Sequence, residues 1–283
     1  NDLQEEMSLV QQKEAVWAAK QSLSEMEYGI RMRTQFMANI THELRTPVNG
    51  MKGMAENLLD TPLNLGQQET VNIIIRNCNN MSKIINDILD ISKIESGKLT
   101  VIYAEYDLGT VLRDVVNMMS FKAKVKGLDF VVLVDENIPA KLVGDDIRLR
   151  QILVNLLNNA VKYTHEGSVT LELSAVKADS DNSVKLHFSV KDTGIGIKEE
   201  DLQKLCEPFE RIEEKRNRNI EGTGLGMSIT KQLLGLLNSE LIVKSEYGVG
   251  SEFSFDLVQM IVDAEPIGNI SDHADTVEEN YRH

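Results

Sequence analysis

Cysteine is nearly missing from this chain. Cys78 and Cys206 are the two among 283 residues, too few for a disulfide framework, and neither lies in a metal-ligand spacing. Both are expected to be buried thiols. Long apolar runs are missing as well. No stretch approaches about eighteen consecutive apolar residues, which excludes a helical membrane span within these residues. The first residues also lack the basic-then-apolar layout of a signal peptide. A cytoplasmic setting is expected, with room for sensor or membrane segments before Asn1, because the chain opens inside a helical pattern. Positive charge is in deficit: 30 Lys and Arg against 44 Asp and Glu leave −14, which argues against a nucleic-acid partner. Any nucleotide must therefore be held by a few local groups. The sequence G-x-x-x-x-G-K-[S/T] occurs nowhere, which removes the P-loop NTPases.

What is present begins with a seven-residue repeat. Leu9, Val16, Leu23, Ile30, Met37, Leu44, Met51 and Leu58 are spaced by seven, and Ala19, Met26, Ile40 and Met54 fill companion positions three further on. Gln12 and Arg33 interrupt that stripe. The pattern predicts a long helix with a coiled-coil character, kinked at Pro47, where a ladder hydrogen bond is lost. Turn residues across Asp60–Gly66 break it, and a second helix is predicted from about Gln67 to Ser96 with Ile74, Met81, Ile84, Ile88 and Ile91 on one face. Such a hairpin has too much apolar surface to stand alone. Pairing two hairpins into a four-helix bundle would bury it, so a homodimer is expected.

From Leu99 the texture changes to short apolar runs mixed with helical stretches. Strands are predicted near Thr100–Tyr106, Asp129–Val134, Ser168–Ala175, Val184–Asp192, Glu240–Ser245 and Ser251–Val258. Helices are predicted at Leu108–Lys126, Ile147–Thr164, Lys198–Cys206 and Met227–Leu237. Together they suggest a two-layer α/β sandwich on a largely antiparallel sheet. The expected organisation is 1–35 as a signalling helix, 36–98 as the hairpin, 99–262 as a catalytic domain and 263–283 as an acidic linker or tail.

Four groups of residues carry chemistry. The heptad phase puts His42 on the outer side of its helix, where a neutral imidazole can act as a nucleophile toward phosphorus. Glu43 beside it can take the proton from the other ring nitrogen. An ordinary surface His and Glu would look the same in isolation. Further on, Asn155, Asn159 and Lys162 recur at helical spacing opposite Leu149, Ile152, Leu153, Leu156 and Leu157. Amide oxygens can coordinate magnesium that also bridges phosphates, and a lysine can neutralise phosphate charge. Asp192, at the end of an apolar strand and followed by Gly194 and Gly196, can accept a hydrogen bond from the amine of adenine; guanine would present an oxygen there. Gly222-Thr223-Gly224-Leu225-Gly226 precedes a predicted helix, whose first N–H groups and positive end face any phosphate.

Taken in order, these motifs resemble the sensor histidine kinases over roughly residues 30 to 258. Phe36–Pro47, with His42-Glu43-Leu44-Arg45-Thr46-Pro47, is similar to that family's phosphoacceptor box, and Asp146–Tyr163 to the box that binds nucleotide and metal. The resemblance implies autophosphorylation of His42 with ATP and Mg2+, then transfer to an aspartate of a response-regulator receiver domain. It implies nucleotide contacts from Asn155, Asn159, Lys162, Tyr163, Asp192, Gly194, Gly196, Gly222, Thr223, Gly224, Leu225 and Gly226, with Asn155 and Asn159 as metal ligands. Thr46 would orient a water for dephosphorylating the regulator, or alternatively would bond back to the helix ahead of Pro47. Arg211–Glu221 looks like a lid over the nucleotide with Phe209 as its anchor. The implied fold is a helical hairpin that dimerises, with an N-terminal coiled coil, followed by an α/β sandwich of the Bergerat ATP-binding type. Asn49-Gly50 and Ile94–Lys98 also resemble hybrid-type kinases.

Two departures from the family pattern stand out: Asn238-Ser239 replaces paired glycines, and Cys206 replaces a bulky apolar residue. Related ATPase machines place a Glu four residues before the metal-binding Asn. Here that position is Asn155, a poor base, which favours a kinase over a hydrolase. A dimeric relay module without catalysis would be expected to have lost His42, Asn159 or Asp192, and all are present.

Overall fold

The computed structural model describes residues 2–178, 182–208, 210 and 223–270, which fall into two compact units divided between Thr100 and Val101. The first unit is a helical hairpin. Helix α1 spans Asp2–Leu59 and continues through Pro47 as one element. Helix α2 spans Leu65–Glu95 and is opened by a reciprocal cap: Asn64 accepts from the Gln67 N–H at 2.9 Å while Gln67 Oε1 accepts from the Asn64 N–H at 3.0 Å.

Packing within the hairpin uses a different stripe from the one read in the sequence. Thr34, Thr41, Val48 and Ala55, seven apart on α1, are buried, as are Val71, Cys78, Ile85 and Ser92, seven apart on α2. Val48, Cys78 and Ile85 form one cluster. The expected heptad positions Leu44, Met51 and Leu58 keep 43%, 46% and 46% exposure, and Met54 keeps 71%. Two threonines and a serine in the buried lines hide them from a reading based on apolar spacing.

The second unit is a seven-stranded sheet in the order β1-β3-β7-β5-β4-β2, with β6 paired to β7. Its strands are β1 Ala104–Asp107, β2 Asp129–Val134, β3 Pro139–Gly144, β4 Ser168–Lys177, β5 Ser183–Asp192, β6 Ile242–Glu246 and β7 Gly250–Pro266. Among the described residues β2 and β4 pair in parallel and the other pairs are antiparallel. Helices α3 (Leu108–Lys126) and α4 (Asp146–Tyr163) pack on the sheet and on one another, and α6 (Gly226–Leu236) packs against α4. Leu112, Met119, Leu149, Ile152, Leu156, Phe188 and Phe255 are fully buried between the layers, the two rings stacked with centroids 4.9 Å apart.

Strand β3 is absent from the strands predicted from the sequence, and the segment is bounded by Pro139 and Gly144. It forms because β1 and β7 satisfy both of its edges. The predicted helix at Lys198–Cys206 shrinks to α5, Glu199–Leu202, followed by turns up to Pro208. Strand β7 continues past the expected Val258 to Pro266, and Ile267 and Ile270 beyond it are buried. Cys78 is buried as expected, while Cys206 is half-buried. Asn238 takes φ +56° after α6, the left-handed conformation that the family pattern assigns to glycine.

Candidate functional site

In the hairpin, His42, Glu43 and Thr46 are all exposed on α1. Thr46 Oγ1 donates to the carbonyl of His42 at 3.2 Å, which matches the helix-bonding alternative for this residue. Arg45, between them, donates from Nη2 to Asn86 Oδ1 on α2 at 3.0 Å.

In the sheet unit the separated motifs come together around the polar face of α4. Asp145 caps this helix by accepting from the Arg148 N–H at 3.0 Å, and the predicted apolar face is buried to 0% exposure at Leu149, Ile152, Leu153, Leu156 and Leu157. That burial fixes the helix and turns Asn155, Asn159 and Lys162 to the other side. Asn155 Nδ2 donates to the Gly226 carbonyl and, at 2.8 Å, to Thr230 Oγ1. Asn159 Nδ2 lies 3.1 Å from the Met227 sulfur. A Cβ at Gly226 would meet the Asn155 amide at 2.6 Å, so this glycine is what allows α6 to start against α4. Lys162 Nζ reaches Tyr163 Oη at 3.0 Å and lies 4.6 Å from its ring centroid.

The Asp192–Gly196 turn docks on the end of the same helix. Asp192 Oδ1 accepts from the Gly194 N–H at 2.9 Å, and the Ile195 N–H donates to the Tyr163 carbonyl at 3.2 Å. Gly196 has φ +65°, and a Cβ there would run into the Glu246 carbonyl. Gly248 donates to the Ile195 carbonyl at 2.8 Å, so the hairpin between β6 and β7 braces this turn. Burial pushes the Asp192 carboxyl above the usual carboxylate range, opposed by N–H donation from Gly194 and Ser251.

Helix α6 starts at Gly226 with no side-chain cap hydrogen bond on its first turn; Leu225 before it is fully buried, and Thr223 Oγ1 accepts from the Leu225 N–H at 3.1 Å. A helix start without a side-chain cap suits an anion. Phe209, Gly222 and Arg211–Glu221 lie outside the described residues. Reading the sequence did not single out Thr230 or Met227, although Thr230 stands one helical turn after Gly226 and so on its face. Among the described residues there is no group of three or more His, Cys, Asp or Glu able to hold a metal.

Comparison with known proteins divides the chain along the same lines. A family model described as His Kinase A (phospho-acceptor) domain matches residues 32–97, and one described as Histidine kinase-, DNA gyrase B-, and HSP90-like ATPase matches residues 144–260. The Autoinducer 2 sensor kinase/phosphatase LuxQ of Vibrio cholerae is 40% identical over 243 residues, covering 85% of this chain and 28% of LuxQ. Hybrid signal transduction histidine kinase B of Dictyostelium discoideum is 38% identical over 245 residues, covering 84% of this chain and 12% of that protein. The chain thus spans little more than a quarter of either relative's length at most. The crystal structure of full-length ShkA in complex with AMPPNP superposes with a TM-score of 0.68 at 31% identity, covering 82% of this chain and 47% of ShkA. With a phospho-acceptor model on the hairpin that carries His42 and an ATPase model on the sheet unit that gathers Asn155, Asn159 and Asp192, the chain belongs to the histidine kinase family.

Proposed function

We propose that this chain autophosphorylates His42 with ATP and passes the phosphoryl group to an aspartate of a receiver domain. The observation that carries this reading is Asn155. Where a hydrolase of the wider ATPase superfamily has a carboxylate to activate water, this chain has an amide tied to the first turn of α6. A nucleotide would be held without a hydrolytic base, which leaves its γ-phosphoryl for the exposed His42. One ring nitrogen of His42 forms the N–P bond as the bond from phosphorus to the leaving ADP oxygen breaks, and Glu43 accepts the proton released from the other nitrogen.

Asp192 would take the adenine amine, and the Gly222–Gly226 segment with the start of α6 would take the phosphates. The amide oxygens of Asn155 and Asn159 would hold magnesium, since their Nδ2 groups are turned to Gly226, Thr230 and the Met227 sulfur. Bound there, it would draw charge from the phosphates, and Asn159 and Asn155 would orient it through their amide oxygens.

A second hairpin would cover Leu44, Met51 and Met54 on α1 and Ile74, Met81 and Ile84 on α2, all exposed in a single chain, which supports a homodimer. Relatives described as hybrid kinases support a receiver domain in the same protein. No helix among the described residues is long and apolar enough to cross a membrane.

The reading is tested by following label from γ-labelled ATP onto the chain and then onto a receiver domain, for the parent and Thr46→Ala. Autophosphorylation should survive in Thr46→Ala, because the nucleophile is untouched. Loss of phosphate from the regulator should slow by about three- to tenfold, the value of one hydrogen bond to a water. Equal loss of both activities would assign Thr46 to holding the His42 carbonyl instead. No transfer to any receiver domain by the parent would remove the second half of the proposal.

A further inference from the structure

Arg45 stands three residues after His42, one helical turn away on nearly the same side of α1. Its guanidinium is held by Asn86, which belongs to the other helix of the hairpin. Both residues are exposed, at the edge of the buried seam that Val48, Cys78 and Ile85 form beneath them. The pairing has two chemical features. The acceptor is a neutral amide, so the guanidinium keeps its full charge. One of its five N–H donors is used at 3.0 Å, and the planar fork has the bidentate geometry that phosphate oxygens accept.

We propose that Asn86 is a positioning residue for phosphoryl transfer: through its hydrogen bond it stations Arg45 one turn from His42, where the guanidinium meets the negative charge of the phosphoryl group arriving on the imidazole. An unheld arginine samples many rotamers and would have to be ordered at each turnover, whereas one fixed to α2 is ordered beforehand. The neutral acceptor is central to this role. A carboxylate at position 86 would hold Arg45 more firmly but would cancel the charge it offers.

This inference rests on the proposed kinase activity, and the experiment separates the two. Initial rates of His42 labelling are measured against ATP concentration for the parent, Asn86→Ala, Asn86→Asp and Arg45→Ala, with thermal unfolding of each. The expected result is a drop of about tenfold in kcat for Asn86→Ala and for Asn86→Asp, with KM for ATP within about twofold of the parent. Arg45→Ala should fall further, and adding Asn86→Ala to it should cost nothing more, because the two act through one contact. If the bond only staples the hairpin, Asn86→Asp would keep or strengthen it and would label at the parental rate. Parental kcat in Asn86→Asp, or in Asn86→Ala, overturns the proposal while leaving the kinase reading intact. An unlabelled parent chain overturns both.

Discussion

His42→Gln is expected to abolish phosphate incorporation from γ-labelled ATP while leaving nucleotide affinity unchanged. Gln keeps a polar side chain at an exposed helical position, where substitutions ordinarily stay within about 0.5 kcal/mol, so α1 should remain folded. It has no unprotonated ring nitrogen, and without that lone pair no N–P bond can form. His42 and the residues gathered around α4 belong to different compact units, which is why binding should be spared. Isothermal calorimetry alongside the labelling assay reads both quantities on one preparation. Label persisting in His42→Gln would assign the nucleophile to another residue.

Asp192→Asn and Asn159→Ala are each expected to weaken ATP binding by about ten- to a hundredfold. That range is the loss of one charge-assisted hydrogen bond, about 1.5–3 kcal/mol. Asn keeps the shape of Asp192 and the acceptor for the Gly194 N–H, so the turn should survive while the carboxylate charge is lost. The parent should also show a pH dependence that Asp192→Asn lacks. Burial raises the Asp192 pKa, so its acceptor form is depleted as pH falls toward a window above the usual carboxylate range, and affinity should fall with it. The sign for stability is opposite. A carboxyl whose folded pKa is raised binds its proton more tightly in the folded chain, so its contribution is greatest in acid and is lost as pH rises through that window. Calorimetry from neutral to mildly acid pH that gave one shared affinity for parent and variants would remove Asp192 and Asn159 from the site.

The parts of the fold that could be read in the sequence are those fixed by local signals. Helix α3 has the predicted ends, Leu108 and Lys126, because Asp107 caps it by accepting from the Thr110 N–H at 2.6 Å and Gly127 closes it in the left-handed region. Leu149, Ile152, Leu153, Leu156 and Leu157 announce the buried side of α4 by spacing alone, and the polar side follows. What could not be read depends on distant neighbours. Strand β3 exists because β1 and β7 flank it, and the Asn155 amide finds the Gly226 carbonyl across 71 residues of sequence. The seam inside the hairpin is hidden from the sequence for a similar reason. Thr34 and Thr41 are polar by composition yet lie buried on the line that continues through Val48 and Ala55, whereas the apolar heptad beside it stays exposed in the single chain. Thr46 shows how spacing can leave two roles open: its hydroxyl is found on the His42 carbonyl, one turn back, within reach of the residue whose phosphate chemistry it was expected to serve.

The most direct measurement is the chemistry and position of phosphate on the parent chain after incubation with ATP and magnesium. A phosphoramidate at His42, lost in acid, stable in base and located there by mass spectrometry under neutral conditions, is the predicted result. Acid-stable phosphate on a hydroxyl residue, or a chain that binds ATP and releases free phosphate without ever carrying it, would contradict the assignment of His42 as the acceptor.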